Sequence, residues 1–122
     1  MGDIISISCH DCGWGDGGCT GHGFRTLVNY DEIKDNLPKS FIRKLDKEKF
    51  IGFVSTPGVI IVCSNCSNIG FRTHYEAQGI KAEHRCGRCR SKAEIIDNPE
   101  TLEFCPECGK ATLNVEYMGI WD

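Results

Sequence analysis

The chain has 122 residues, nine cysteines and a formal net charge of −3, a length that allows one domain or two very small ones, each with a modest hydrophobic core. The longest apolar run, Val59-Ile60-Ile61-Val62-Cys63, is far short of the roughly twenty residues that span a bilayer, and Met1-Gly-Asp-Ile-Ile-Ser has neither the basic region nor the apolar core of a secretory signal. An odd number of cysteines fits a disulfide framework poorly, so a soluble protein of a reducing, intracellular compartment is expected, and its acidic balance leaves any attraction to nucleic acid to a local basic patch.

In chain order, three stretches are expected. Residues 1–28 hold Gly13, Gly15, Gly17, Gly18, Gly21 and Gly23, which leave little room for regular structure and suggest a loop wrapped around metal. Residues 29–62 should supply the single helix, around 39–49 after Pro38, with Phe41, Ile42 and Leu45 as its apolar strip. A hairpin should follow, Phe50–Ser55 and Val59–Cys63 about a Pro57-Gly58 turn. In residues 63–122, strands are expected at Gly70–Glu76, Ile80–Cys86, Ala93–Asp97, Thr101–Cys105 and Ala111–Met118, with cysteine pairs where strands end. The segment Cys19-Thr-Gly-His-Gly-Phe-Arg-Thr26 shares Gly-Phe-Arg-Thr and a cysteine in register with Cys66–Thr73. Duplication, which would make Cys19 a ligand, and coincidence both remain open.

The chemistry lies in four Cys-x-x-Cys pairs: Cys9/Cys12, Cys63/Cys66, Cys86/Cys89 and Cys105/Cys108. Two thiolates three positions apart on a tight turn reach one zinc ion, and two such turns complete a tetrahedral shell. One assignment closes a shell within Cys9, Cys12, Cys19 and His22, gives Cys63 and Cys66 the histidines His74 and His84, and joins Cys86/Cys89 to Cys105/Cys108. That makes three zinc ions. The competing assignment pairs Cys63/Cys66 with Cys86/Cys89 and leaves Cys9/Cys12 to meet Cys105/Cys108, which makes two. His10, inside a turn, points to solvent in either.

The segment 84–110, Cys86-Gly-Arg-Cys89 and then Cys105-Pro-Glu-Cys108-Gly109 after fifteen intervening residues, resembles the zinc-ribbon family. Its Cys-Pro-x-Cys-Gly half also resembles the knuckles of rubredoxin-like domains, where proline stiffens the turn and glycine takes the positive φ that aims backbone N–H groups at sulfur. The resemblance implies a small, metal-stabilised, mainly β (α+β) fold of zinc-ribbon-type hairpins. Such ribbons occur in transcription, translation and nucleic-acid-processing assemblies, which implies a non-catalytic regulator or accessory factor binding protein or nucleic acid, with no membrane and no small-molecule substrate. Arg85, Arg88, Arg90 and Lys92 form the densest basic cluster and the candidate contact surface, with Phe71 and Tyr75 as base-stacking aromatics. Alternatively, these cations only balance thiolate charge.

Two other functions are weighed. One is a protein-only adaptor or inhibitor. The other is a rubredoxin-like redox protein, from Cys9-x2-Cys12-Gly13-Trp14 with the later Cys-Pro-x-Cys-Gly, or a zinc hydrolase, from the crowding of His10, Asp11, Asp16 and His22. A closed four-ligand shell speaks against catalysis. The zinc-deaminase signature, a phosphate-cradling loop and a serine elbow are all missing from the sequence.

Overall fold

The computed structural model describes residues 2–23 and 26–121. They form a mainly β structure of two sheets with two α-helices, one more than the single helix expected. The strands are β1 (Gly2–Cys9), β2 (Gly15–Gly21), β3 (Leu27–Asn29), β4 (Phe53–Ser55), β5 (Gly58–Cys63), β6 (Ile69–Thr73), β7 (Glu76–Ala77), β8 (Ile80–Lys81), β9 (His84–Arg85), β10 (Lys92–Ile96) and β11 (Leu113–Trp121). A four-residue turn of helix, α1 (Tyr30–Ile33), precedes the main helix α2 (Lys39–Lys47). No helix among the described residues is long and apolar enough to cross a membrane.

The larger sheet has the order β11-β1-β2-β5-β10-β9, with β6 also paired to β5. It consists of two antiparallel three-stranded ribbons of the same design, with the short strand β9 added at the edge of β10. In the first, β1 lies between β2 and β11, and in the second, β5 lies between β6 and β10. Each central strand ends on the first cysteine of a Cys-x-x-Cys turn and each third strand follows the partner turn. The second ribbon is inserted in the chain between β2 and β11 and joined to the first by the single pairing Gly21–Gly58. Since β1 and β5 are both antiparallel to β2, they point the same way, and the cysteine turns gather at one end of the sheet.

Strand β1 already departs from the loop expected over residues 1–28: Ile5, Ile7 and Cys9 face inward with Ser6 and Ser8 between them. Strand β2, Gly-Asp-Gly-Gly-Cys-Thr-Gly, is a departure from the expected loop. Its glycines serve close approach rather than a wrap: a Cβ on Gly17 would sit 3.1 Å from the Ile5 carbonyl, and one on Gly18 would sit 2.7 Å from the Phe71 ring. The ribbons meet over Ile5, Ile7, Ile60 and Ile69.

The second sheet, β3-β4-β7-β8, carries α2, whose Phe41 and Leu45 are buried with Tyr30, Leu37, Val54 and Ala77. The helix begins at Pro38 as expected and stops two residues early. Lys49 (φ 53°) turns left-handed, with Lys49 N–H on the Asp46 carbonyl and Phe50 N–H on the Leu45 carbonyl, a Schellman ending. The expected hairpin across Pro57-Gly58 does not form. Thr56 N–H instead bonds the Thr26 carbonyl at 2.6 Å, which keeps β4 in the small sheet, while β5 pairs with β6 and β10. The strand expected at Thr101–Cys105 is also replaced, beginning with a 3₁₀ turn over Pro99–Thr101 in which Asn98 caps the Glu100 N–H.

Candidate metal centres

All four Cys-x-x-Cys segments fold into one turn. The N–H of the residue after the second cysteine bonds back to the first cysteine's carbonyl: Gly13 to Cys9, Ser67 to Cys63, Arg90 to Cys86 and Gly109 to Cys105, at 2.9–3.1 Å. The first cysteine's own N–H reaches the carbonyl five residues on, at Trp14, Asn68, Ser91 and Lys110. The residue after the second cysteine is left-handed every time, with φ of 80°, 63°, 65° and 71°. This geometry turns backbone N–H groups onto sulfur: those of Cys12, Cys66, Cys89 and Glu107 each lie 3.4 Å from the Sγ of the first cysteine in their turn.

Strand pairing selects the partners. Cys9 lies opposite Leu113 and Cys63 opposite Ala93, so the turn before β11 meets the turn after β1, and the turn before β10 meets the turn after β5. The result is two quartets, Cys9/Cys12/Cys105/Cys108 and Cys63/Cys66/Cys86/Cys89, each with its sulfurs within 4.8 Å of one another. Sγ–Sγ separations are 3.7 Å (Cys9–Cys108), 3.6 Å (Cys12–Cys105), 3.4 Å (Cys63–Cys89) and 3.5 Å (Cys66–Cys86). Four thiolates around tetrahedral zinc stand about 3.8 Å apart, given Zn–S bonds of about 2.3 Å. Both quartets fit such an ion.

No family model, curated protein or solved structure matches the chain. The metal reading therefore stands on the geometry.

Electrostatics points the same way. The Thr112 hydroxyl, 2.9 Å from Cys9 Sγ, and the Cys12 N–H lower the Cys9 thiol to about 6. The Ser91 hydroxyl and N–H, with the Asn65 amide, lower Cys89 to about 5. In contrast, the Trp14 N–H pulls Cys12 down, but desolvation and hydrogen bonds to the other three sulfurs prevail and raise it to about 12. Cys66 behaves likewise against the Asn68 N–H and also rises to about 12. Without a cation, each quartet thus combines a stabilised thiolate with a thiol that holds its proton. A divalent ion displaces such protons and converts the set to thiolates.

Three expected groupings are corrected. Cys19 lies opposite Ile4 on the β1–β2 hairpin, five residues from Cys9 or roughly 16 Å along a strand, so it does not join Cys9 and Cys12, and it is exposed. His22 sets Nδ1 3.3 Å from the Thr26 hydroxyl and belongs to no metal-binding group among the described residues. His74 and His84 do not complete Cys63/Cys66. They bond each other, Nδ1 to Nε2 at 3.0 Å, and burial lowers both imidazoles below their ordinary range. Finally, Cys86/Cys89 and Cys105/Cys108 belong to different quartets, so residues 84–110 are halves of two sites.

The internal echo also falls away. The structural repeat matches Cys9/Cys12 with Cys63/Cys66, whereas the echo matches Cys19 with Cys66; its Phe24 and Arg25 lie outside the described residues. A better signal was available in the two stretches Ile5-Ser-Ile-Ser-Cys9-x2-Cys12 and Val59-Ile-Ile-Val-Cys63-x2-Cys66. Phe71 packs into the ribbon core and Tyr75 against Phe41, with ring centroids 6.2 Å apart, so neither is a free stacking platform. Arg85, Arg90 and Lys92 are exposed. Arg88 instead ties the third turn to the fourth, with Nη1 donating to the Pro106 carbonyl at 3.3 Å and Nη2 meeting the Glu107 carboxylate.

Two expected outcomes follow from the turns. Ser67 and Arg90 hold the left-handed position that Gly13 and Gly109 hold elsewhere, at a cost of about 1–2 kcal/mol for a residue with a Cβ, part of which glycine loses again in backbone entropy. Ser67→Gly and Arg90→Gly should each stabilise the metal-loaded protein by about 0.5–1 kcal/mol, measured by denaturant unfolding. Cys19→Ser should leave metal content unchanged and stability within about 0.5 kcal/mol; loss of an ion in elemental analysis would make Cys19 a ligand after all.

Proposed function

We propose that this chain is a non-catalytic, metal-stabilised protein holding two zinc ions, and that it acts as a regulator or accessory factor whose second ribbon contacts nucleic acid or a nucleic-acid-processing machine. Both quartets consist of cysteine alone, and four thiolates fill a structural zinc shell, leaving no position for a water nucleophile. Catalysis by the ion is not part of the proposal.

The observation that carries the reading is a separation of charge that the overall balance conceals. The first ribbon and its turns bear Asp3, Asp11, Asp16, Glu103, Glu107 and Glu116 against Lys110 alone. The second ribbon, with the β7–β8 segment that its chain carries into the small sheet, bears Arg72, Lys81, Arg85, Arg88, Arg90 and Lys92 against Glu76, Glu83, Glu94 and Asp97. Among the described residues, only Lys81 and Arg88 of those six cations have an ion pair. Exposed arginines without carboxylate partners beside a rigid metal turn suit phosphate.

The test is fluorescence anisotropy of the zinc-loaded protein with a single-stranded oligonucleotide at 50 and 200 mM salt. Affinity should fall steeply with salt, and Arg85→Glu with Arg90→Glu should weaken it by about 1–3 kcal/mol while zinc is retained. No binding at low salt would reject the nucleic-acid contact. The protein-only adaptor reading would then take precedence, because the edge strand β11 leaves Tyr117, Met118 and Ile120 exposed beside the acidic ribbon.

A further inference from the structure

A cleft of about 370 Å³ opens where helix α2 and the small sheet meet the second ribbon. Three ammonium-bearing side chains line it from three separate elements: Lys44 of α2, Lys81 of β8 and Lys92 of β10. His74 and His84 line it too, with His74 buried and held to His84 by the 3.0 Å bond between their rings. Two neutral imidazoles carry two N–H groups, and the shared bond uses one. Whichever ring donates, a second imidazole N–H therefore remains on a nitrogen outside that bond.

The remaining charged groups of the cleft are Glu83 and Glu94, so the lysines outnumber the carboxylates. Lys44 and Lys92 have no ion pair among the described residues, and Lys81 has only a 3.5 Å contact to Glu76 with its side chain 68% exposed, a pair worth little and easily exchanged. Three ammonium-bearing side chains around one cleft, with an imidazole N–H on the histidine pair that lines it, suit an oxyanion. A metal cation would find two imidazoles and three like charges. The cleft also continues into the exposed basic face, because Lys92 lies opposite Arg85 across the β9–β10 ladder, and Arg90 precedes β10 by two residues.

We propose that this cleft binds a backbone phosphate of single-stranded nucleic acid, and that the strand leaves it along Lys92, Arg85 and Arg90. The proposal rests on the nucleic-acid reading above and adds the place of phosphate entry, which uses Lys44 and the histidine pair, groups outside the cysteine turns.

The test uses the full zinc-loaded chain, a fluorescein-labelled single-stranded oligonucleotide and inorganic pyrophosphate. Lys44→Ala with Lys92→Ala should weaken oligonucleotide binding about tenfold and lower the salt slope by about 0.7, the loss of one neutralised phosphate on a single strand. Lys39→Ala with Lys47→Ala, on the same helix but outside the cleft, should change affinity less than about twofold. The ring resonances of His74 and His84 should shift on titration with the oligonucleotide. Equal affinity of the cleft and control variants, with unmoved histidine resonances, would overturn the cleft and leave the nucleic-acid reading standing. Absence of oligonucleotide binding at low salt would overturn both. Histidine shifts with pyrophosphate but not with the oligonucleotide would make this a site for free phosphate compounds and overturn the assignment to nucleic acid.

Discussion

Removing metal with a strong chelator is expected to unfold the large sheet, with loss of its β circular-dichroism signal and of its cooperative melting transition. The ribbon core is small, four buried isoleucines at Ile5, Ile7, Ile60 and Ile69 with partly buried neighbours. Metal-binding free energy that exists only in the folded chain, about 10 kcal/mol or more per structural site, is comparable with the entire stability of an ordinary domain, about 5–15 kcal/mol. The quartets would then be left with thiols shifted in opposite directions, Cys9 lowered against Cys12 raised, and Cys86 and Cys89 lowered against Cys66 raised, and no cation to gather them. Refolding should need two equivalents of zinc, and elemental analysis should give two ions per chain. A melting temperature indifferent to chelation would refute the structural role of the quartets. Iron in natively purified protein would shift the first quartet toward electron transfer, because it unites the Cys-x-x-Cys-Gly and Cys-Pro-x-Cys-Gly segments.

The two sites should not be equivalent to mutation. The second quartet closes a short loop, with Cys66 and Cys86 20 residues apart, whereas Cys12 and Cys105 of the first are 93 apart. Loop-closure entropy alone favours the shorter loop by about 1.4 kcal/mol, or tenfold. The dependence is also topological: the second ribbon lies inside the loop that the first quartet must close, and Arg88 links the third turn to the fourth. Cys66→Ser is therefore expected to bring the metal count from two to zero under limiting zinc, and Cys12→Ser from two to one, with the second ribbon still folded. Native mass spectrometry reads both counts directly. A Cys66→Ser protein that still loads one ion into the first quartet would show that the ribbons fold independently.

Much of this was readable one residue at a time. The cysteine spacing marks all four turns because two thiolates three positions apart suit one metal ion, whereas the alternation of Ile5, Ile7 and Cys9 is obscured by the glycine density that follows it and that suggests a loop. Pro38 with the strip Phe41, Ile42 and Leu45 marks the helix. Three features resisted. Gly15–Gly21 was unreadable as a strand because its reason for lacking side chains, the nearby Ile5 carbonyl and Phe71 ring, is distant in sequence for Phe71. The Pro57-Gly58 pair does not form the hairpin turn that its composition suggests, because the acceptor that draws Thr56 and β4 away is the carbonyl of Thr26, distant in sequence. Cys19-x2-His22 has the spacing of a ligand pair but does not ligate, because spacing carries no record of where on a hairpin a pair falls.

The sequence by itself determined that four cysteine turns would form, and left open which two would meet at one site and whether Cys19 or the histidines would join them. The tertiary structure decided which two. All four turns have the same local geometry and the same capacity to bind, so local chemistry cannot distinguish the pairings. What separates them is the antiparallel registry of β1 with β11 and of β5 with β10, in which inward faces set by residues about a hundred positions apart place Cys9 beside Cys108. Those distant contacts also sort the acidic ribbon from the basic one, a distinction invisible in a net charge of −3.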